Sequence, residues 1–449
     1  MKKIFQYIML AVVTIVMASC TSDIEETTAT TGKNNIQLVV GEFPAFGDSQ
    51  TRAIGTPDEG KTSWAVGDEL ILEIAKTSYG RHSATFTYNG KSWELTSGEL
   101  VYLEGDPAYI PHVYYAPNYK WEAGELFLKK GKVAGTDEYI EGKAIITGNG
   151  ETITVSFAEA TRKYSRLRIA TLPNEQITVD TEDFTPAGSS DMEQKGNYTL
   201  TSDEKGNAYL YGTFENNSEV TVKYREAPLK TYTFSQATEN AKSYALDATV
   251  ISANSAEEIK SAIEQKVADG KTTIRLNLAP NAGTNEFMAI REAIKGAAPN
   301  DLGTIELTII GVETIPEEAF YKMLQLKSVR MSDVKEIKKY AFKECQYLTV
   351  VEAPSLNKLC SGAFKKCDQL AKLTFGPINY ADERNWPIFE DITPNIDLIL
   401  SDYQKEMIET DSYLYTANND RDYAGSDEHN SKNFLGREFR SITCRYKVK

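Results

Sequence analysis

Histidine, cysteine and tryptophan are scarce: the 449 residues hold 3 His, 5 Cys and 4 Trp. His82, His112 and His429 fall at no common helical or strand spacing, so no histidine metal site is expected. Nucleophile elbows, P-loops and dinucleotide-binding glycine turns are missing, and no carboxylate pair sits in an apolar setting that would raise one pKa. The sequence therefore predicts no catalytic residue, no metal and no cofactor, and argues against an enzyme. Basic charge is short as well. With 49 Lys and Arg against 64 Asp and Glu, the net charge of -15 excludes the basic footprint of a nucleic-acid binder. After the N-terminus no apolar run approaches the roughly 18 residues of a membrane span.

What is present begins with a targeting device. Lys2 and Lys3 form a charged start, Ile8 to Met17 an apolar stretch, and Ala18-Ser19 a small-residue cleavage site ahead of Cys20. This arrangement resembles the bacterial lipoprotein signal, which implies removal of residues 1–19 and acylation of Cys20. Two or more acyl chains, at about 0.8 kcal/mol per buried CH2, anchor stably where one does not. Ser22-Asp23-Ile24-Glu25-Glu26 resembles the acidic export tag of surface-exposed lipoproteins of the Bacteroidetes. That likeness implies an outer-membrane lipoprotein, held to the membrane by its lipid and exposed on the cell surface. Residues 20–34, rich in Thr and without periodicity, read as a tether.

From Ile36 onward short alternating runs predict strands. "TFTYNGKSWEL" and "AIITGNGETITVSF" place Asn89-Gly90 and Asn149-Gly150 between such runs, the signature of type I′ hairpins. "AYLYGTF" and "VTVKYRE" continue the pattern, and many short strands at such spacing suggest antiparallel sandwiches. Thr51-Arg52-Ala53, "WAVGDELILEI" at 64–74, "YIPHVYYAP" at 109–117 and "FAEATRKYSRLRIA" at 157–170 together resemble the fimbrillin-like lipoproteins. The resemblance implies two tandem β-sandwiches, assigned to residues 35–150 and 151–250, and a role as a fimbrial subunit, anchor or tip.

The composition changes near Ile251. Ser255-Ala256-Glu257-Glu258 forms a capping box ahead of a helical pattern that Gly270 can end. "TIRLNLAP" predicts a strand and "EFMAIREAIKG" a second helix, together the cap of a repeat array. Residues 312–333, 334–355 and 356–377 then repeat without gaps, with Ala319-Phe320, Ala341-Phe342 and Ala363-Phe364 recurring every 22 residues. Met323, Cys345 and Cys367 share one position, and Leu326, Leu348 and Leu370 another. Within each copy Ala, Met or Cys, and Leu fall at i, i+4 and i+7, predicting a helical turn and then a short strand. "IELTIIG" supplies an earlier strand and "NIDLILS" a later one. Ile315-Pro316-Glu317-Glu318-Ala319-Phe320 resembles the BspA-type leucine-rich repeat, and the segments "NWPIFEDITPNIDLILSDYQK" and "NFLGREFRSITC" resemble the ending of such proteins. The expected architecture is thus multidomain: all-β fimbrillin-like sandwiches and then, over 251–449, an α/β leucine-rich solenoid with a helical cap. The resemblance implies adhesion to host or bacterial surface proteins.

Residues alternating with the buried strand positions of the repeats should face outward: Ser328 and Arg330, Val350 and Glu352, Lys372 and Thr374. Stacked strands would join them into one surface, the kind repeat proteins use for binding. The function expected is a cell-surface adhesin or protein-binding module. The alternatives are a structural anchor or tip that pairs with other fimbrial subunits, and a glycan-binding surface protein with Tyr114 and Tyr115 as exposed aromatics. Cys345 and Cys367 would lie on adjacent copies within disulfide range, but Met323 at the same position marks that site as apolar core, favouring free thiols. Asp420 to Glu428 begins like a calcium loop, yet Ala424 and Ser431 stand where ligands are needed.

Overall fold

A computed structural model describes residues 37–382, 388–402 and 433–446, apart from 45, 49–60, 77–79, 99–109, 148–151, 158–161, 254 and 436. The signal, Cys20, the tether, Thr51-Arg52-Ala53, Asn149-Gly150 and the loop from Asp420 lie outside them. The described residues are mostly β, with two helices.

The first seven-stranded sheet runs Gln37–Val40, Thr152–Ser156, Ile140–Thr147, Val113–Tyr115, Glu69–Lys76, Gly80–Tyr88 and Trp93–Gly98. Alternation of apolar residues puts Leu38, Leu70, Leu72, Phe86, Trp93, Val113, Ile140 and Ile153 in one cluster, so the sheet closes on its own apolar side. The strand Thr152–Ser156 pairs back onto both Ile140–Thr147 and Gln37–Val40. The division placed at 150/151 therefore falls between two paired strands of this one sheet. The Asn89-Gly90 hairpin also differs from expectation. Only Gly90 has positive φ, Tyr88 pairs with Trp93, and the Asn89 side chain accepts from the N–H groups of Lys91 and Ser92 at 2.8 Å each. Asn89 serves the loop through its side chain, so a four-residue loop replaces the two-residue type I′ turn.

The second sheet has eight strands, Ala227–Thr233, Glu219–Tyr224, Gln176–Pro186, Asn207–Phe214, Ser165–Ala170, Lys242–Asp247 and Gly47–Asp48 in order, with Glu193–Thr201 added on Gln176–Pro186. Its core, built on Ile169, Val179, Phe184, Leu210, Phe214, Val220 and Val222, also includes Ile310 of the third sheet. Shared packing joins the second sheet to the repeats.

Helix α1 (Ala256–Ala268) starts on Ser255, whose side chain accepts from the Glu258 N–H, and Gly270 with φ of 72° comes after its end. Helix α2 (Thr284–Ala297) buries Phe287, Ile290, Ala293 and Ile294. The strands Ile251–Ala253, Thr273–Leu278, Ile305–Ile310, Leu326–Met331, Val350–Ala353, Lys372–Phe375, Asp397–Ser401 and Ser441–Tyr446 then form one parallel sheet of eight. Its register steps by 22 residues, with Val329 opposite Val351 and Val351 opposite Leu373.

Inside each copy the helical expectation is overturned. The segment around Ala-Phe is a run of turns, and across the copies lies a second parallel sheet of Thr314–Ile315, Glu336–Ile337, Lys358–Cys360 and Tyr380–Asp382. The reason lies in the backbone. Glu318, Tyr340 and Gly362 have φ of 54°, 56° and 61°, and Lys322, Glu344 and Lys366 have 55°, 62° and 59°, a left-handed conformation no α-helix accommodates. Flipping these peptides aims N–H groups at the next copy: those of Glu318, Phe320 and Lys322 donate to the carbonyls of Lys339, Ala341 and Lys343 at 3.1, 2.7 and 2.9 Å. Residues 340, 342 and 344 repeat the pattern onto 361, 363 and 365. Backbone groups that a helix would satisfy internally are satisfied between copies instead.

Under this third ladder Phe320, Phe342, Phe364 and Phe389 form a buried column with ring centroids 5.1, 5.4 and 5.7 Å apart. Phe287 of α2 closes one end edge-on at 5.6 Å, and Phe439 closes the other at 5.5 Å.

Candidate functional site

The alternation of the repeat strands settles which side chains leave the core. Leu326, Val329, Met331, Val351, Ala353, Leu373 and Phe375 point inward and are fully buried. The six residues expected to face outward emerge as two rows. Ser328, Val350 and Lys372 are register partners, as are Arg330, Glu352 and Thr374. Lys372 is exposed and the other five are half-buried. The same register extends the first row back through Glu306 to Thr273 and on to Asp397, and the second back through Thr308 to Arg275 and on to Ile399. Counting 22 residues back from Ser328 and Arg330 reaches Glu306 and Thr308, a signal already present in the sequence.

Charges on this face pair between neighbouring copies. Arg330 Nε lies 2.7 Å from Glu352, Lys372 Nζ 3.9 Å from the same carboxylate, and Lys327 Nζ 2.8 Å from Glu306. On the adjoining corner Lys335 meets Glu313 at 2.5 Å and Lys358 meets Glu336 at 2.7 Å. Exposed pairs of this kind contribute about 1 kcal/mol or less each. Their effect is to hold long side chains in fixed positions, so the face is pre-shaped and nearly neutral.

The start of the face is roofed by the second sheet. Arg275, 5% exposed, donates from Nε to the Leu229 carbonyl at 2.7 Å and from Nη1 to the Thr249 carbonyl at 3.4 Å. A cavity of about 380 Å3 lies between Leu229–Thr231 and the outward rows, and Ser328, Arg330, Val350 and Glu352 line it. Lys372 and Thr374 lie beyond its wall. No local pattern announces this roof, because the strand that makes it comes from another unit.

The remaining expected positions serve the scaffold. Tyr115 is buried: its hydroxyl donates to Asp68 at 3.0 Å, Lys61 sits 4.7 Å above its ring, and burial with the Asp68 charge pushes its pKa up. Asp68 in turn caps the "WAVGD" turn by accepting from the Ala65 N–H at 2.7 Å. Tyr114 is half-buried. The expected exposed aromatic pair is therefore corrected, since Tyr115 is spent on holding that turn. His112 pairs with Glu141, while His82 is exposed on its strand. Among the described residues no group of three metal-binding side chains converges.

Cys345 and Cys367 are both free and fully buried. Each thiol donates to a carbonyl, Cys345 to Phe320 at 2.9 Å and Cys367 to Phe342 at 3.0 Å. Burial pushes the Cys345 thiol up to about 12 and raises Cys367 as well.

Residues 301–399 match the model of the BspA type leucine rich repeat region, in 6 copies. Among solved structures, a candidate cell adhesion protein from Bacteroides fragilis is similar at 10% identity and a TM-score of 0.24, covering 51% of this chain and 93% of that one. The minor pilin of Streptococcus agalactiae is similar at 8% identity and a TM-score of 0.15, covering 47% and 93%. No curated protein matches the chain.

Proposed function

We propose that the protein is a cell-surface adhesin: a lipoprotein held by Cys20, whose two β regions carry a leucine-rich solenoid that binds a protein ligand on its outward strands. The observation that carries the reading is the pair of outward rows on one continuous parallel sheet, pre-shaped by ion pairs between copies and roofed at one end by Leu229–Thr231. Repeat proteins present such stacked faces for recognition. The match of residues 301–399 to the BspA-type repeat model adds support.

Protease treatment of intact cells displaying the full chain tests the display, with cleavage of the repeat region expected. Adherence of those cells to immobilised host and bacterial surface proteins tests the face. Val350→Glu with Lys372→Glu should abolish it; protection from protease, or adherence unchanged in the double variant, refutes the reading.

A second reading, anchor or tip of a fimbria, draws on the strand Gln37–Val40, which among the described strands stands at an edge of the first sheet, paired with Thr152–Ser156. An edge strand of that kind can be exchanged between subunits. Mass spectrometry of the surface protein discriminates: a mature form cut near Thr51-Arg52-Ala53 favours the fimbrial role.

A further inference from the structure

We propose that the junction between the second sheet and the repeats holds a pocket for an acidic sugar, with Arg275 as the seat of its carboxylate. A second cavity, of about 560 Å3, shares Lys230, Thr273 and Arg275 with the roofed one. That size suits a small ligand. Tyr232, Phe234 and Tyr244 form its aromatic wall, and Lys230, Lys271, Arg275 and Asp247 its polar one.

Arg275 is the informative residue. It is 5% exposed, yet it donates to two neutral carbonyls, and none of the described carboxylates forms an ion pair with it. A guanidinium carries five N–H donors, so most of its bonding capacity is unused. Burying a cation without a counter-charge is costly, because the protein interior does not replace its lost hydration. Asp247 and Glu306 act on it only from a distance, and burial outweighs them, lowering its pKa. A carboxylate arriving from outside would meet a planar fork suited to two parallel hydrogen bonds.

The rest of the cavity fits a sugar ring. Tyr232 is 38% exposed and braced edge-on by Phe234 at 5.0 Å, and Tyr244 abuts Phe234 at 6.1 Å. An aromatic face packs against the C–H side of a pyranose, while Lys230, Lys271 and the ionised Asp247 stand where hydroxyls would project. Asp247 is held ionised by its bonds from Thr249 and by nearby Lys266. Three cations against one carboxylate make a positive pocket in a chain of net charge -15. This pocket shares Thr273 and Arg275 with the starts of the outward rows but none of Ser328, Arg330, Val350, Glu352, Lys372 and Thr374, so variants at Lys271 and Tyr232 test it apart from the adhesin reading.

Calorimetric titration of the full chain tests the proposal with glucuronic acid, N-acetylneuraminic acid, glucose and acetate as probes. At least one acidic sugar should bind about tenfold or more tighter than glucose and acetate, the margin expected of a charge-assisted bidentate contact joined to ring stacking. Lys271→Glu and Tyr232→Ala, both at exposed side chains, should each weaken that binding about tenfold while the melting temperature holds. Arg275→Gln should abolish it. No binding of either acidic sugar, equal binding of glucose, acetate as strong as the sugars, or affinity unmoved by Lys271→Glu and Tyr232→Ala overturns the proposal.

Discussion

Phe342 and Phe364, one copy apart, stack with ring centroids 5.4 Å apart and planes 6° from parallel. Both are fully buried, and both rings touch a further phenylalanine on their other face. Truncating Phe342 therefore opens a cavity in the middle of the column. Phe342→Ala should cost about 3–5 kcal/mol, read as a lowered denaturation midpoint for the repeat region. A loss under about 1 kcal/mol would mean that the column collapses to fill the gap.

The left-handed positions make a prediction of opposite signs. Lys366 is exposed with φ of 59°. Lys366→Gly should leave stability equal or raise it by up to about 1 kcal/mol, whereas Lys366→Val should lower it by about 1–2 kcal/mol. Two thermal melts decide it, and a stabilised valine variant would show that the turn adopts another conformation.

The buried thiols should be silent. With the Cys345 pKa pushed up to about 12, the native protein at pH 8 holds almost no thiolate there. Mass-spectrometric mapping of alkylation should find Cys345 and Cys367 unmodified until the chain is unfolded. The linkage has a definite sign. Unfolded cysteine ionises near pH 8.5 and native Cys345 does not, so above about 8.5 the unfolded state binds fewer protons and stability falls with rising pH. Cys345→Ala should flatten that alkaline decline.

Two arginines of similar appearance in the sequence should behave differently. Arg330 is partly exposed in its pair with Glu352, and Arg330→Ala should cost at most about 1 kcal/mol. Arg162 is fully buried, binds Glu138 and donates to the Pro44 carbonyl at 3.0 and 2.6 Å. Arg162→Ala strands a buried carboxylate and should cost about 3–5 kcal/mol, measured by denaturant titration of the two variants side by side.

How much was legible depended on whether the signal was local. The 22-residue period exposed the column, the inward strand residues and the outward rows, because every copy states them again. The run of turns was hidden, since Ala, Cys and Leu at i, i+4 and i+7 read as a helix stripe while Glu318, Tyr340, Glu344 and Lys366 carry no glycine to announce positive φ. The second neighbour of Thr152–Ser156 was hidden, because Gln37–Val40 lies over a hundred residues back and pairs with it in parallel. Tyr115 looked free because the residues that bury it, Lys61 and Asp68, are remote in sequence. Arg275 sits in an ordinary alternation, and its partners, the carbonyls of Leu229 and Thr249, are remote in sequence.

Phe287 and Phe439 stand nearly perpendicular to the last stacked rings, at 77° and 89°. A ring turned through a right angle breaks the parallel pile. The array thus carries its own terminators, and they are separate from the units they enclose. A whole 22-residue unit could be gained or lost between them in evolution without redesigning either end, lengthening or shortening the outward surface one rung at a time while its closure stays the same.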